Sequence, residues 1–458
     1  MSDAAISNSA IVSAYLEKTP GSASLAEKAR ELLPSGIAHD TRYLEPYGIY
    51  VEHAKGPRKW DVDGNEYVDY FGGHGALLLG HNHPVVLRAI HEAMEQGSHF
   101  GSNHPREVRW AELVHQMVPS AERVRFTSSG TEATHMALRL ARAYTGRHKL
   151  ARIMTHFHGW HDHMTSGYSS HFDGSATPGV LEGVAENVVL LPPNDIGAAR
   201  RILGQAEDIA ALFLEPTGGS FGMVPISADY IAALRDLTAQ RGIVLVFDEV
   251  ITGFRVSPGG AQARFGITPD MTTLAKIVAG GLPGGAVVGA KAILDGLDFQ
   301  AAEAKGKEKI AHPGTFNANP VSAAAGIAAL EIIKDSDACE RANAYTDELR
   351  ARLNQVLADE RVAWSAYGTF SGFHTFTNSK RRKLDPRNFN PYDVPFEELK
   401  TRDKRLVHRF RLAMLVHGVD LMGWPGGMVS ATHGPKEMDA TVEAFAASLA
   451  MLKRDGEL

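Results

Sequence analysis

Lys276 lies in Met271-Thr272-Thr273-Leu274-Ala275-Lys276-Ile277-Val278-Ala279-Gly280-Gly281, a run of apolar and small residues closed by two glycines. Removing an amine from water disfavours its charged form, so a lysine in such a setting is poised to attack a carbonyl carbon or to accept a proton. A structural lysine that snorkels to the surface fits the same window. Upstream, Ile243-Val244-Leu245-Val246-Phe247-Asp248-Glu249-Val250 ends an apolar run with two carboxylates. Buried acids need partners, so Asp248 requires a cation, a metal, a protonated heterocycle or the N–H groups of a helix start. A third segment, Val124-Arg125-Phe126-Thr127-Ser128-Ser129-Gly130-Thr131-Glu132, reads as a strand running through a Ser/Gly/Thr turn into a helix. The open N–H groups and the dipole of a helix start attract an anion, and Gly130 lets a phosphate approach the backbone. An ordinary N-cap by Ser129 or Thr131 uses the same residue types. No Gly-Lys-[Ser/Thr] follows, so this is not a nucleotide P-loop.

His156-Phe157-His158-Gly159-Trp160-His161-Asp162-His163 packs four histidines and an aspartate into eight residues. A transition metal is one use for such a set; stacking on a planar ligand is the other, and no further Cys/His pair with ligand spacing supports the metal. Glu215-Pro216-Thr217-Gly218-Gly219 ends another apolar run with a carboxylate, and His312-Pro313-Gly314-Thr315-Phe316-Asn317-Ala318-Asn319-Pro320 offers a hydroxyl and amides in a Gly/Pro-shaped loop. Each alone is compatible with turn chemistry.

These residues follow strand-length apolar runs: Arg123 to Thr127, Leu150 to Met154, Ile209 to Leu214, Ile243 to Phe247, with Gly285 to Val288 as a fifth. Between them lie helical stripes such as Ala137, Leu140, Ala141 and Tyr144. Buried strands separated by helices predict an α/β fold, a largely parallel sheet covered on both faces, with ligands at the carboxyl ends of the strands. The expected division is an N-terminal segment over 1–64, a large domain over 65–330 and a C-terminal small domain over 331–458, the small domain drawing on both chain ends. An Ala-rich helix is expected from Val321 to Ile333, a loop from Arg382 to Pro395, and helices from about Glu397 to His417 and from about Lys436 to Leu452.

The 458 residues are 44% apolar and 22% charged, proportions that fit a globular chain with a large core and exclude a disordered or fibrous one. A formal charge of −6 gives no electrostatic reason to expect nucleic acid as a partner. Cys339 is the only cysteine, which rules out an internal disulfide and fits a reducing compartment. Met1-Ser2-Asp3-Ala4-Ala5 shows no secretory signal, and no stretch nears the roughly 18 apolar residues that span a bilayer. A soluble, cytoplasmic protein with no membrane partner is expected.

In this order the motifs are far more specific than any one of them. From Lys55-Gly56 and Trp60-Asp61-Val62-Asp63-Gly64 to the C-terminus the chain resembles the class III aminotransferases, fold type I enzymes that use pyridoxal 5′-phosphate (PLP). The resemblance rests on Ser129-Gly130-Thr131-Glu132-Ala133, Phe157-His158-Gly159, Glu215-Pro216, Asp248-Glu249-Val250-Ile251-Thr252-Gly253-Phe254-Arg255, Lys276 and Gly314-Thr315-Phe316. It is strongest to the branch containing glutamate-1-semialdehyde aminomutase and β-amino-acid aminotransferases. The resemblance implies a seven-stranded, mainly parallel sheet in the large domain. It implies that Lys276 holds PLP as a Schiff base and acts as general acid and base, and that Asp248 pairs with the pyridine nitrogen. It places Val250 on one ring face and Phe157, where Tyr is usual, on the other, with His158 and Glu215 also beside the cofactor. Ser129, Gly130 and Thr131 would hold the phosphate, which Thr315 reaches across the interface of a homodimer.

The resemblance aligns Arg42, in His39-Asp40-Thr41-Arg42-Tyr43, with an arginine that binds the substrate carboxylate; a guanidinium suits bidentate capture. His74 stands where the aminomutase has an active-site Trp, and Gly423-Trp424-Pro425-Gly426-Gly427 replaces a carboxylate-bearing segment. Gly167-Tyr168-Ser169-Ser170-His171-Phe172-Asp173-Gly174 lacks the Gly-Ser-Gly of the aminomutase gating loop. Arg42, His74 and Trp424 are thus the expected substrate residues, and small-molecule amines and keto acids the substrates. The expected reaction is amino transfer between two molecules, with aminomutase as the alternative. A metal-dependent hydrolase built on the histidines and a cofactor-binding regulator without turnover complete the alternatives.

Overall fold

The computed structural model describes residues 9–458, so the Met1 to Ala5 start, where no secretory signal was expected, lies outside the described residues. The chain forms two compact units: one comprises residues 1–83 and 340–458, the other 84–339. Strand pairing carries the N-terminal part of the smaller unit past residue 64. Glu66–Asp69 hydrogen-bonds to Arg58–Asp61 and to Val419–Asp420, tying residues just past 64 to both chain ends.

In the larger unit seven strands form one sheet: β1 (Arg123–Thr127), β2 (Lys149–Ile153), β3 (Val188–Leu191), β4 (Ile209–Leu214), β5 (Val244–Asp248), β6 (Met271–Ala275) and β7 (Gly285–Gly289). Their order is β1-β7-β6-β5-β4-β2-β3, with β7 antiparallel to both neighbours and every other pair parallel. β3 and β6 had not been read as strands. In β6 the hydroxyls of Thr272 and Thr273 are fully buried and satisfied by distant residues, so their polarity hid the strand. Alternate residues on β2, β4 and β5 face opposite layers. Leu150, Phe213 and Val246 pack with Met136, Leu138 and Leu140 of the helix Gly130–Thr145. Ala151, Leu212 and Leu245 pack with Leu203 of the helix Ile196–Gln205 and with Tyr230, Ile231 and Leu234 of the helix Ala228–Arg241. Both faces are therefore covered, and the strand ends are left to carry chemistry.

The other unit holds a four-stranded sheet (Val51–Lys55, Arg58–Asp61, Glu66–Asp69, Val419–Asp420) and a three-stranded one (Ser365–Tyr367, Gly372–Phe376, Gly426–Met428). Lys59 Nζ lies buried between Asp69 and Asp420, 2.7 Å from each, so an ion triad links the N-terminal strands to the C-terminal one. The helix expected from Glu397 to His417 is two helices, Phe396–Lys400 and Lys404–Val416. Asp403 separates them because its carboxylate accepts the Leu406 N–H as an N-cap.

Candidate active site

The carboxyl ends of β1, β2, β4, β5 and β6 deliver Ser128-Ser129, Thr155 to Gly159, Glu215, Asp248-Glu249-Val250 and Lys276, and Gly285, where antiparallel β7 begins, pairs with Thr127 and Ala275 at the same edge. Apart from Thr315, the residues predicted from the larger unit are thus gathered where an open α/β sheet binds ligands.

Lys276 opens a short turn at φ +55°, a left-handed conformation that a lysine rarely adopts. Its amine is partly buried and, among the described residues, forms no hydrogen bond or ion pair; burial lowers its pKa, against the pull of Asp248 and Glu215. Asp248 is buried on the adjacent strand. Oδ2 lies 2.8 Å from His158 Nδ1, and Oδ1 accepts from Val250 N at 3.1 Å and from the Thr273 hydroxyl at 3.2 Å. Burial pushes its carboxyl up to about 6. It is a buried acid with polar partners but no side-chain cation in an ion pair within the unit other than the His158 imidazole, which burial holds well below its ordinary pKa.

At the end of β1, Ser129 caps the helix Gly130–Thr145: its hydroxyl accepts from Glu132 N at 3.2 Å, and Glu132 reciprocates by accepting from Ser128 N at 2.8 Å. The N-cap reading of Ser129 is therefore correct, and the Gly130 and Thr131 amides are left as the open donors of the first turn. A Cβ on Gly130 would lie 3.0 Å from Val250 Cγ2 and 3.5 Å from Ala275 Cβ. The anion-attracting turn, Val250 and the residue before Lys276 thus meet at one point, where a side chain at position 130 would press on Val250.

The segment after β2 is pinned residue by residue. Arg152 donates to the His156 and Met164 carbonyls. His156 Nδ1 accepts from Glu215 N at 2.8 Å, and Phe157 N donates to Glu215 Oε1 at 2.7 Å. His158 O accepts from the Thr134 hydroxyl at 2.7 Å. Gly159 sits so close to Thr131 that a Cβ would meet its Cα at 2.9 Å. The Phe157 ring remains 44% exposed, 5.0 Å from the Tyr168 ring. The histidines diverge: His158 faces Asp248 and His161 stacks on His135 at 4.9 Å, so among the described residues no three potential ligands converge on a metal. Sequence reasoning missed Thr134 and Thr273, whose partners His158 and Asp248 lie some way along the chain, and Arg152, whose partners appear only when the turn after β2 folds back.

Glu215 is buried and accepts from Phe157, Ser220 and Phe221 N–H groups; burial first and Asp248 second push its carboxyl up to about 7. Glu249 turns away from Asp248 and accepts from Ala261 N, Gln262 N, Gln262 Nε2 and the Thr252 hydroxyl, which starts the helix Gly260–Phe265. Thr315 and Phe316 are solvent-exposed within the single chain.

The substrate candidates lie in the other unit, and their segments meet. The hydroxyl of Thr41, beside Arg42, is 2.9 Å from His74 Nε2, and the Thr41 carbonyl lies 3.8 Å from where a Cβ on Gly423, beside Trp424, would sit. Arg42 is exposed, and His74 holds φ +58°.

Open amides for a phosphate, a buried carboxylate suited to a ring cation, a desolvated amine and close packing of Gly130 against Val250 fit PLP. The family profile described as aminotransferase class-III matches residues 40–389. The chain is 37% identical over 439 residues to glutamate-1-semialdehyde 2,1-aminomutase of Methanothrix thermoacetophila, covering 95% of this chain and 97% of that one. Among solved structures it resembles an omega-transaminase from Sphaerobacter thermophilus (TM-score 0.86, 33% identity, 96% of this chain and 99% of that one). It also resembles a β-phenylalanine aminotransferase from Variovorax paradoxus (TM-score 0.84, 29% identity, 98% of each chain). This chain belongs to the class-III aminotransferases. Its fold is that of the fold type I PLP transferases, and its cofactor is PLP.

Proposed function

We propose that this enzyme moves an amino group from a carboxylate-bearing amine, an amino acid or β-amino acid, to a keto acid or aldehyde. The observation that carries the assignment of roles is the placing of Lys276 and Asp248 at the ends of adjacent strands, a desolvated amine near a buried acid with no strong cation. PLP bound there supplies an electron-accepting ring that stabilises negative charge developing on the substrate carbon. Asp248 keeps a proton on the ring nitrogen. Lys276 would hold the cofactor, and its amine is placed to act as the general acid and base that moves a proton at the substrate carbon. The Gly130 and Thr131 amides and the Ser129 turn would hold the phosphate, Val250 and Phe157 would flank the ring, and His158 and Glu215 fix the surrounding turns. Thr315 reaches the phosphate across a homodimer interface. The buried lone cysteine, Cys339, supports a cytoplasmic setting.

Arg42 captures the substrate carboxylate, with His74 and Trp424 shaping its surroundings. The 37% identity to an aminomutase over 95% of the chain favours a second reading, intramolecular amino exchange on glutamate-1-semialdehyde. Product analysis separates them. Transfer predicts that a β-amino acid donor and a keto acid are both consumed, and that Arg42→Ala raises the KM of carboxylate donors roughly 10- to 100-fold with simple amines unaffected. Isomerisation of the semialdehyde without any acceptor, and no donor accepted, would establish the aminomutase instead.

A further inference from the structure

Arg152, on β2, is fully buried and forms no ion pair. Two of its nitrogens hold carbonyls, Nη1 that of Met164 and Nη2 that of His156, while Nε is buried with no partner. His158 shows the complementary deficit: Nδ1 lies 2.8 Å from Asp248 Oδ2, and Nε2 is buried with no partner. An ionised Asp248 only accepts, so Nδ1 must carry the proton in that contact, and a neutral imidazole so protonated keeps a lone pair on Nε2. Burial and, second, the Arg152 charge keep the imidazole neutral. One buried donor lacks an acceptor and one buried acceptor lacks a donor, on residues that share a neighbour. Arg152 is in register with Phe213 on β4, and the His158 ring lies 5.9 Å from the Phe213 ring. Buried polar atoms are nearly always paired, through protein or an ordered water.

We propose that Arg152 is a positioning residue: its Nε–H supplies His158 Nε2 with a donor, directly or through one buried water, and so fixes the tautomer that donates to Asp248. Thr155 Oγ1, also buried without a partner on the turn that follows β2, offers such a water a third contact. The same guanidinium anchors the turn through the His156 carbonyl, next to Thr155 at φ +75°, a costly conformation for a β-branched residue that its surroundings must enforce. With the other tautomer, His158 would present a lone pair to the carboxylate. The inference rests on Asp248 serving the cofactor ring as proposed above.

The test is 15N NMR of the histidine ring nitrogens in the PLP-loaded protein, with His158 assigned by its loss in His158→Asn. The expected result is His158 protonated at Nδ1 and bare at Nε2. In Arg152→Met the His158 signals change tautomer or average between the two, kcat falls roughly 10- to 100-fold with KM within about twofold, and Arg152→Lys restores part of both. A proton on Nε2 in the parent protein overturns the inference, as does an Arg152→Met enzyme with parental His158 signals and kcat. Should Arg152→Met not fold, Arg152→Gln is read in the same way, and parental His158 signals and kcat in that variant overturn the inference. Failure to take up PLP would contradict the proposed function; a loaded enzyme with His158 protonated at Nε2 contradicts this inference alone.

Discussion

Asp248 and Glu215 are carboxylates that folding takes out of water before any ligand compensates them. Their carboxyls rise from 3.8 to about 6 and from 4.5 to about 7, burial being the first cause of each. A carboxyl whose folded pKa exceeds its unfolded one binds more protons folded, so its contribution to stability is lost as pH rises between the two values. These two groups therefore take stability from the cofactor-free protein between about pH 4 and about pH 7, while histidines whose pKa burial lowers, such as His158 and His161, add stability over the same rise, so the Asp248 share is read as the difference in thermal unfolding between the parent and Asp248→Asn across that range. Asp248→Asn should make the change in stability with rising pH more positive than in the parent, while lowering kcat/KM roughly 10²- to 10³-fold, the scale of removing one preorganised electrostatic group. A variant whose apo stability keeps the parental pH slope would show that Asp248 does not titrate as described. At this scale the sequence was informative where one residue type betrayed its surroundings, as with Lys276 among apolar neighbours. It was silent for Arg152, whose setting on β2 looks like that of any basic residue until the turn after β2 folds back onto it.

Elements decide which of two neighbouring acids does chemistry. Asp248 closes β5 and faces the strand ends, whereas Glu249, one residue on, holds the start of the helix Gly260–Phe265 through four hydrogen bonds. Glu249→Ala leaves buried N–H donors unpaired and is expected to cost about 2–4 kcal/mol, read as a shift in the urea midpoint, without moving the Asp248 contacts. An unchanged midpoint would deny Glu249 that role. The apolar runs made five of the seven sheet strands legible, and with them the edge that carries the site. β6 was not legible, because Thr272 and Thr273 look polar until Ser120, Gln262 and Asp248 satisfy them. The break at Asp403 inside the expected Glu397 to His417 helix was likewise invisible to periodicity, since capping depends on one side chain and one N–H.

Across the whole molecule, the division into units follows strand pairing rather than chain order, because Val419–Asp420 joins the N-terminal strands. No helix among the described residues is long and apolar enough to cross a membrane. Thr315 is exposed in the single chain, and the proposed homodimer would bring it to the phosphate of the partner subunit. Dilution that dissociates the subunits is then expected to release cofactor in parallel, followed by sedimentation and by the loss of visible absorbance; a fully active monomer would contradict it. The central claim, that Lys276 is the cofactor lysine, is tested most directly by borohydride reduction of the PLP-loaded protein followed by peptide mass analysis. The account predicts a visible band that amine donors convert, and after reduction the cofactor mass on the peptide that contains Lys276. A protein that gains no band with added PLP, or carries the cofactor on another lysine, would contradict it.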